Sequence, residues 1–144
     1  MSYVKLMNAL KESQQCLDKN CPKENAAYKE YSMELAKKQL VKIIRDYKSG
    51  KIEKAVFDKK MNEVQNMADK NAKVIKFRSC AVKHCESATK SMGLAILAIG
   101  KEKLQNASPA EKKELQAGMK DLESTLKQKP LDMKKLSLAL RQFV

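Results

Sequence analysis

The sequence predicts an all-α protein, on three observations. Gly and Pro are scarce, with 4 and 3 copies in 144 residues, and aromatic residues make up only 5% of the chain. Apolar residues also recur at the spacing of one helix face. A β-sandwich or barrel would need more turn, aromatic and β-branched residues, and a hydrophobic content of 43% is too high for a disordered chain. We therefore expect a long antiparallel helical hairpin over residues 1–106 and a short C-terminal helical hairpin over residues 107–144.

The first arm of the long hairpin consists of residues 2–20 and 23–48. Pro22 lies between these segments, where it ends, kinks or restarts the helix. Gly50 stops the second segment, because glycine suits the left-handed position after a helix. The apolar stripes are formed by Tyr3, Leu6, Met7, Leu10 and Leu17 in the first segment and by Ala27, Tyr31, Leu35, Leu40, Ile43, Ile44 and Tyr47 in the second.

The second arm begins at about Glu53 and is expected to run to about Asn106. No Gly or Pro occurs between Gly50 and Gly93, so that the helix could reach some 50 residues, or roughly 75 Å. A bend or break near Gly93 or Gly100 is expected in a helix of this length.

The C-terminal hairpin has clear helix start signals. Ser108, Pro109 and Glu111 form a capping box with proline at the first helical position. Asp132 caps a last helix, which follows Pro130. The expected inward positions are Leu115, Met119, Leu122 and Leu126 in the first helix and Leu136, Leu140 and Phe143 in the second.

Four cysteines lie in two pairs of equal spacing, Cys16 with Cys21 and Cys80 with Cys85. In an antiparallel hairpin, residues at equal height have a constant sum of residue numbers. That sum is 101 for Cys16 with Cys85 and for Cys21 with Cys80, and its midpoint is the peptide bond after Gly50. We therefore expect disulfides in these two pairs, each closing a loop of about 60–70 residues and contributing roughly 4 kcal/mol, without additivity for nested bonds.

The sequence leaves other states of the cysteines open. Cys16 would pair with Cys80, and Cys21 with Cys85, if residues 2–20 folded back as a separate helix. Reduced cysteines would behave as small buried hydrophobes, and four thiolates would bind zinc. His84 is a further candidate ligand, or else a surface residue.

Each cysteine pair also requires an irregular helix. Residues five apart point about 140° away from each other on a regular helix, so two cysteines at that spacing cannot share a face. Pro22 supplies the irregularity on the first arm, and a local distortion is expected between residues 80 and 85 on the second.

The paired cysteines resemble the twin CxnC motifs of helical hairpin proteins from the mitochondrial intermembrane space. In those proteins two disulfides join antiparallel helices that carry paired cysteine motifs. The resemblance rests on Cys16, Cys21, Cys80 and Cys85, and does not extend to residues 107–144. It implies a stapled hairpin and, as one functional alternative, an assembly factor of that compartment.

The net charge of +13 comes from 30 basic and 17 acidic residues, and only three of the basic residues are Arg. Lys acts as a point charge, whereas Arg is preferred for bidentate contacts with phosphates and bases. The charge is spread evenly along the chain. Non-specific nucleic-acid binding through counterion release is one interpretation, and a solvated lysine-rich surface is the other.

The stretch from Met92 to Ile99 is the most apolar in the chain, and it is too short to span a bilayer. It is either buried core or a docking surface for other protein subunits. We expect no membrane span and no secretory signal. The candidate docking residues are Met92, Leu94, Ile96, Leu97 and Ile99.

No complete catalytic motif is found, so we expect neither an enzyme nor a cofactor or metal site. His84 is the only histidine, which excludes a di-iron bundle with two Glu-x-x-His motifs, and it points away from its neighbour Cys85. A thiol oxidoreductase would favour CxxC, which does not occur.

The expected function is that of a non-enzymatic structural protein that cements a larger assembly. Disulfides without a secretory signal indicate an unusual oxidising setting. The lysine-rich helical composition is similar to that of small virion proteins of large cytoplasmic DNA viruses, which assemble with their own thiol oxidases. We therefore expect a minor capsid or virion component, with the mitochondrial intermembrane space or the cytoplasm as alternative locations.

Overall fold

The computed structural model describes residues 2–141, and all regular elements in this range are helical. The elements are α1 (Ser2–Asn20), α2 (Pro22–Leu35), a π-helical turn (Ala36–Leu40), α3 (Val41–Lys48), α4 (Lys54–Lys70), α5 (Ala72–Leu104), α6 (Pro109–Leu126) and α7 (Met133–Arg141). The all-α prediction is confirmed. Phe143, which was expected on the last helix face, lies outside the described residues.

The chain forms two compact units. The terminal unit contains the described residues up to Cys21 and from Cys80 onward, and the central unit is Pro22–Ser79. Helix α5 contributes its first part to the central unit and the remainder to the terminal unit. The division at residue 106, which the helix signals indicate, stays a prediction.

The terminal unit has an aliphatic core between α5, α6 and α7. Its start signals are confirmed: Ser108 Oγ accepts from the Glu111 N–H, and Asp132 Oδ1 accepts from the Lys135 N–H, at 3.3 and 3.1 Å. Gly93 lies against Leu126, whose Cδ2 would be only 2.6 Å from an added Cβ. The buried core residues are Leu97, Met119, Leu122, Leu126, Leu131, Leu136 and Ala139, with Leu115 and Leu140 packed against them.

Helix α1 packs antiparallel against α5 in the terminal unit. Its buried residues are the small Ser2, Ala9 and Ser13. Small side chains let two helix backbones approach closely, as the disulfides between these helices require. The buried residues of α5 in this unit are also mostly small, and they include Ala81, Ala88, Thr89 and Ala95.

The central unit contains the turn between α3 and α4. Gly50 has a φ of +80°, which confirms the stop that the sequence predicts. Tyr47 and Phe57, one on each side of this turn, stack with their ring centroids 4.4 Å apart. Tyr28 and Phe77 form a second stack at 4.1 Å.

The second arm does not break near Gly93 or Gly100, because α5 continues through both glycines. The second arm breaks at Asn71 instead, where ψ is 131°. The Asn71 side chain accepts a hydrogen bond from the Lys73 N–H at 2.9 Å. Asn71 therefore caps α5, and this local bond competes with continuation of α4.

Candidate functional site

Two disulfides join α1 and the residue that follows it to α5. Cys16 is bonded to Cys85 and Cys21 to Cys80, with Cα atoms 5.9 and 6.2 Å apart. The antiparallel pairing is confirmed, and the parallel alternative is wrong. All four cysteines are paired, so that no thiolate is left for the zinc site or for the reduced state that the sequence left open.

Both arms show the irregularity that the cysteine spacing requires. Cys21 lies just beyond α1, although its N–H still bonds to the Leu17 carbonyl at 2.8 Å. On α5, Cys85 has non-helical dihedrals, with φ −130° and ψ 27°. The Thr89 hydroxyl donates to the Cys85 carbonyl at 2.8 Å, which provides this carbonyl with a partner at the kink.

The two disulfides also mark where the chain passes between the units. Cys21 is the last residue of the terminal unit before the central unit begins, and Cys80 is the first after it ends. The Cys21–Cys80 bond therefore closes the whole central unit into one loop. Cys21 and Cys85 are fully buried, whereas Cys16 and Cys80 are half-buried.

His84 is exposed. Its backbone oxygen lies 3.4 Å from Cys16 Sγ. Since every cysteine sulfur is in a disulfide, His84 fits the surface-residue interpretation and has no thiolate with which to share a metal ion.

The apolar stretch from Met92 to Ile99 is divided between core and surface. Leu97 is buried in the aliphatic core, and Ile96 packs against it. Met92 and Ile99 are half-buried, and Leu94 is exposed. A docking role for this stretch stays a prediction. Leu94 is the exposed side chain that such a role would use.

A larger exposed apolar surface lies on α1. Tyr3, Val4, Met7 and Leu10 have 61%, 60%, 67% and 43% of their surface exposed. We call these four residues the α1 apolar face. The hydrophobic pattern placed three of them on a helix stripe, and that pattern alone would orient them inward. The missed signal is the second stripe of small residues in the same helix, because a helix stapled at short range buries its small side chains.

Polar contacts join two further parts of the terminal unit to α5, the start of α1 and the segment before α7. The Ser2 hydroxyl donates to Glu102. Glu86 accepts from the Leu131 N–H at 3.2 Å and pairs with Lys90 at 3.3 Å. The hydrogen bond from Leu131, followed by the contact with Lys90, holds the pKa of Glu86 below its ordinary value.

The central unit contains a shallow groove of about 420 Å³ between its helices. Three lysines and one glutamate line it, and the even charge of the sequence gives no sign of this cluster. The lining residues are Lys38, Gln39, Lys42 and Ile43 from the π-helical turn and α3, and Lys60, Glu63, Val64 and Met67 from α4. We call this feature the lysine groove.

No family model, curated protein or solved structure was found to match this chain. Among residues 2–141, no helix has the length and hydrophobicity needed to cross a membrane. The features from which a function can be inferred are the disulfides, the α1 apolar face and the lysine groove.

Proposed function

We propose that the protein is a non-enzymatic structural component of a larger protein assembly, a minor capsid or other virion protein. The observation that carries the proposal is the α1 apolar face. It presents four large apolar side chains to solvent on a helix that is fixed to α5 by the Cys16–Cys85 disulfide and, just beyond its end, by the Cys21–Cys80 disulfide.

Clustered apolar side chains at a protein surface are typical of interaction sites. The face also contains a methionine, which adapts its shape to irregular partners. Because the disulfides fix α1 before it meets a partner, docking loses less conformational entropy than docking of a free helix would. This arrangement suits a rigid piece that joins other protein subunits.

The disulfides also support the proposed location. Such bonds form and persist where thiols are oxidised. A virion that assembles with its own thiol oxidase supplies this condition, as does the mitochondrial intermembrane space, which is the alternative location.

The test is whether the protein from the cells that produce it sediments together with the assembly. We expect the wild-type protein to sediment with large particles, and Met7→Glu to shift it to the free fraction, since a buried unpaired charge opposes docking. Leu138→Glu is the matched control, because Leu138 is also exposed but lies on α7, outside both candidate docking surfaces. Wild-type protein that sediments only as the free chain would overturn the proposal.

The lysine groove favours a second candidate function, the binding of nucleic acid. Three ammonium groups would neutralise about three phosphates, so that affinity would fall roughly 40-fold between 50 and 200 mM salt. The groove contains no Arg and no aromatic residue, which indicates backbone contacts without sequence readout.

Duplex DNA binding at several salt concentrations tests this candidate. The variant with Lys38, Lys42 and Lys60 changed to Gln should lose most of the salt dependence. A control with three other lysines of the central unit changed to Gln removes the same charge. If both variants lower affinity equally, the groove is not a binding site. The control positions are Lys29, Lys73 and Lys76.

A further inference from the structure

Helix α1 carries two stripes with the alternating four- and three-residue spacing of coiled-coil seams. The first stripe faces α5 and is partly or fully buried. The second is displaced by one residue, which is about 100° around the helix. The first stripe is Ser2, Leu6, Ala9, Ser13 and Cys16, and the second is Tyr3, Met7, Leu10, Gln14 and Leu17.

The second stripe has the composition of a seam but lies open. Tyr3, Met7 and Leu10 are exposed, as is Gln14, and Leu17 is half-buried. Because the two stripes point in different directions, a further helix can lie along the second one without displacing α5. We call the second stripe the open seam.

We propose that the open seam pairs in parallel with the same seam of a second copy of this chain, giving a symmetric dimer. This inference rests on the proposed function, since it names the partner of the α1 apolar face. Gln14 supports both the identity of the partner and its direction. In a parallel pair Gln14 meets its own copy, and an amide both donates and accepts hydrogen bonds, so the two side chains are complementary.

An antiparallel pair would instead place Gln14 opposite an apolar residue of the seam. Its amide would then lose water without gaining a partner, which is unfavourable. In the single chain the Gln14 amide donates to Asp18 at 3.2 Å, and its oxygen remains available to a second glutamine amide.

The charges beside the seam are compatible with a second copy, although the whole chain carries +13. In a parallel pair, Lys11 and Asp18 of one copy lie nearest to Leu6 and Ser13 of the other, which are uncharged and already face α5. No two like charges are therefore brought together at these flanking positions. An acidic partner helix has no corresponding advantage, because Lys11 and Asp18 carry opposite charges along the same edge.

Sedimentation equilibrium of the purified, oxidised full chain tests the dimer. We expect a concentration-dependent mass that approaches twice the 16.3 kDa of the chain. Leu10→Glu should restore the single-chain mass, whereas Leu138→Glu, at an exposed apolar residue of α7, should leave the dimer unchanged. Circular dichroism and non-reducing peptide mapping confirm the fold of each variant, and Met7→Glu replaces Leu10→Glu if the latter does not fold.

A charge exchange at residue 14 tests the direction of the pair. Gln14→Glu and Gln14→Lys should each dimerise at least about tenfold more weakly, since like charges meet, and an equimolar mixture should recover the dimer. A wild-type chain that stays at 16.3 kDa, or a mixture without recovery, would overturn the inference. Particle association of a wild-type chain that is monomeric when purified would retain the proposed function while overturning the dimer.

Discussion

The terminal and central units are stabilised in different ways. The terminal unit contains the aliphatic core of α5, α6 and α7 and both disulfides. In the central unit, two aromatic stacks and the Asp69–Arg78 ion pair supply the specific contacts. The terminal unit therefore combines covalent bonds with a connected aliphatic core, whereas the central unit adds these individual contacts to a smaller set of buried hydrophobic residues, Ile43, Val64, Val74 and Phe77.

The disulfides nevertheless stabilise both units, because they act on the unfolded chain. Cys21 and Cys80 are 59 residues apart in sequence, and the chain between them is the central unit. Closing a loop of this length lowers the conformational entropy of the unfolded state. The Cys21–Cys80 disulfide, which belongs to the terminal unit, therefore also opposes unfolding of the central unit.

Removal of both disulfides is the change with the largest expected effect. It should lower the free energy of unfolding by roughly 7 kcal/mol, about 4 for the large loop and about 3 for the small ring between the two bonds. Urea unfolding with and without reductant, followed by circular dichroism, measures this loss. Amides of α1 should lose exchange protection before those of α6, which lies in the aliphatic core. An unchanged unfolding midpoint after complete reduction would contradict the stabilising role of the two disulfides.

The Asp69–Arg78 pair gives the next largest expected effect and tests the central unit. The two side chains meet at 2.7 Å and retain only 7% and 16% of their exposure. Arg78→Ala leaves a buried carboxylate without its cation, which should cost about 3–5 kcal/mol. Hydrogen exchange should show the loss mainly between residues 22 and 79.

The matched control for this pair replaces both partners. Asp69→Leu combined with Arg78→Met removes both charges and keeps apolar volume, so that its stability should lie within about 1.5 kcal/mol of the wild type. If the double variant is as unstable as Arg78→Ala, lost hydrogen bonds of the pair, such as the one that Gln65 donates to Asp69, and not the unpaired charge explain the loss.

The sequence predicts those features that depend on local or symmetric information. The Gly50 turn and the Ser108 cap each follow from a few adjacent residues. The disulfide pairing follows from the symmetry of Cys16, Cys21, Cys80 and Cys85 about that turn, without knowledge of the packing.

Three other features could not be predicted in this way: one is a local cap whose residue type is ambiguous, and two depend on contacts between distant residues. Asn71 caps α5, yet an asparagine within a lysine-rich run looks like any exposed helix residue. Hydrophobicity alone would orient Tyr3, Met7 and Leu10 toward the core. The close approach of the disulfide-linked helices buries the small residues Ser2 and Ala9 instead. The lysine groove combines residues of two helices whose packing the sequence does not specify.

The effect expected to be smallest is a pH dependence at Glu86, which links α5 of the terminal unit to the segment before α7. Its folded pKa lies below the ordinary 4.5, chiefly because the Leu131 N–H donates to it. A carboxyl whose pKa is lowered on folding stabilises the protein above its unfolded pKa, and this contribution is lost as the pH falls through the folded pKa. Glu86→Gln keeps an acceptor for Leu131 but does not titrate, so the stability difference between wild type and variant should shrink as the pH falls from neutral through the lowered folded pKa of Glu86. Urea unfolding at several pH values measures that difference, with Glu114→Gln as the control for the loss of one exposed carboxylate from the same unit. A difference that stays constant with pH would show that the hydrogen bond from Leu131 does not depend on the charge of Glu86.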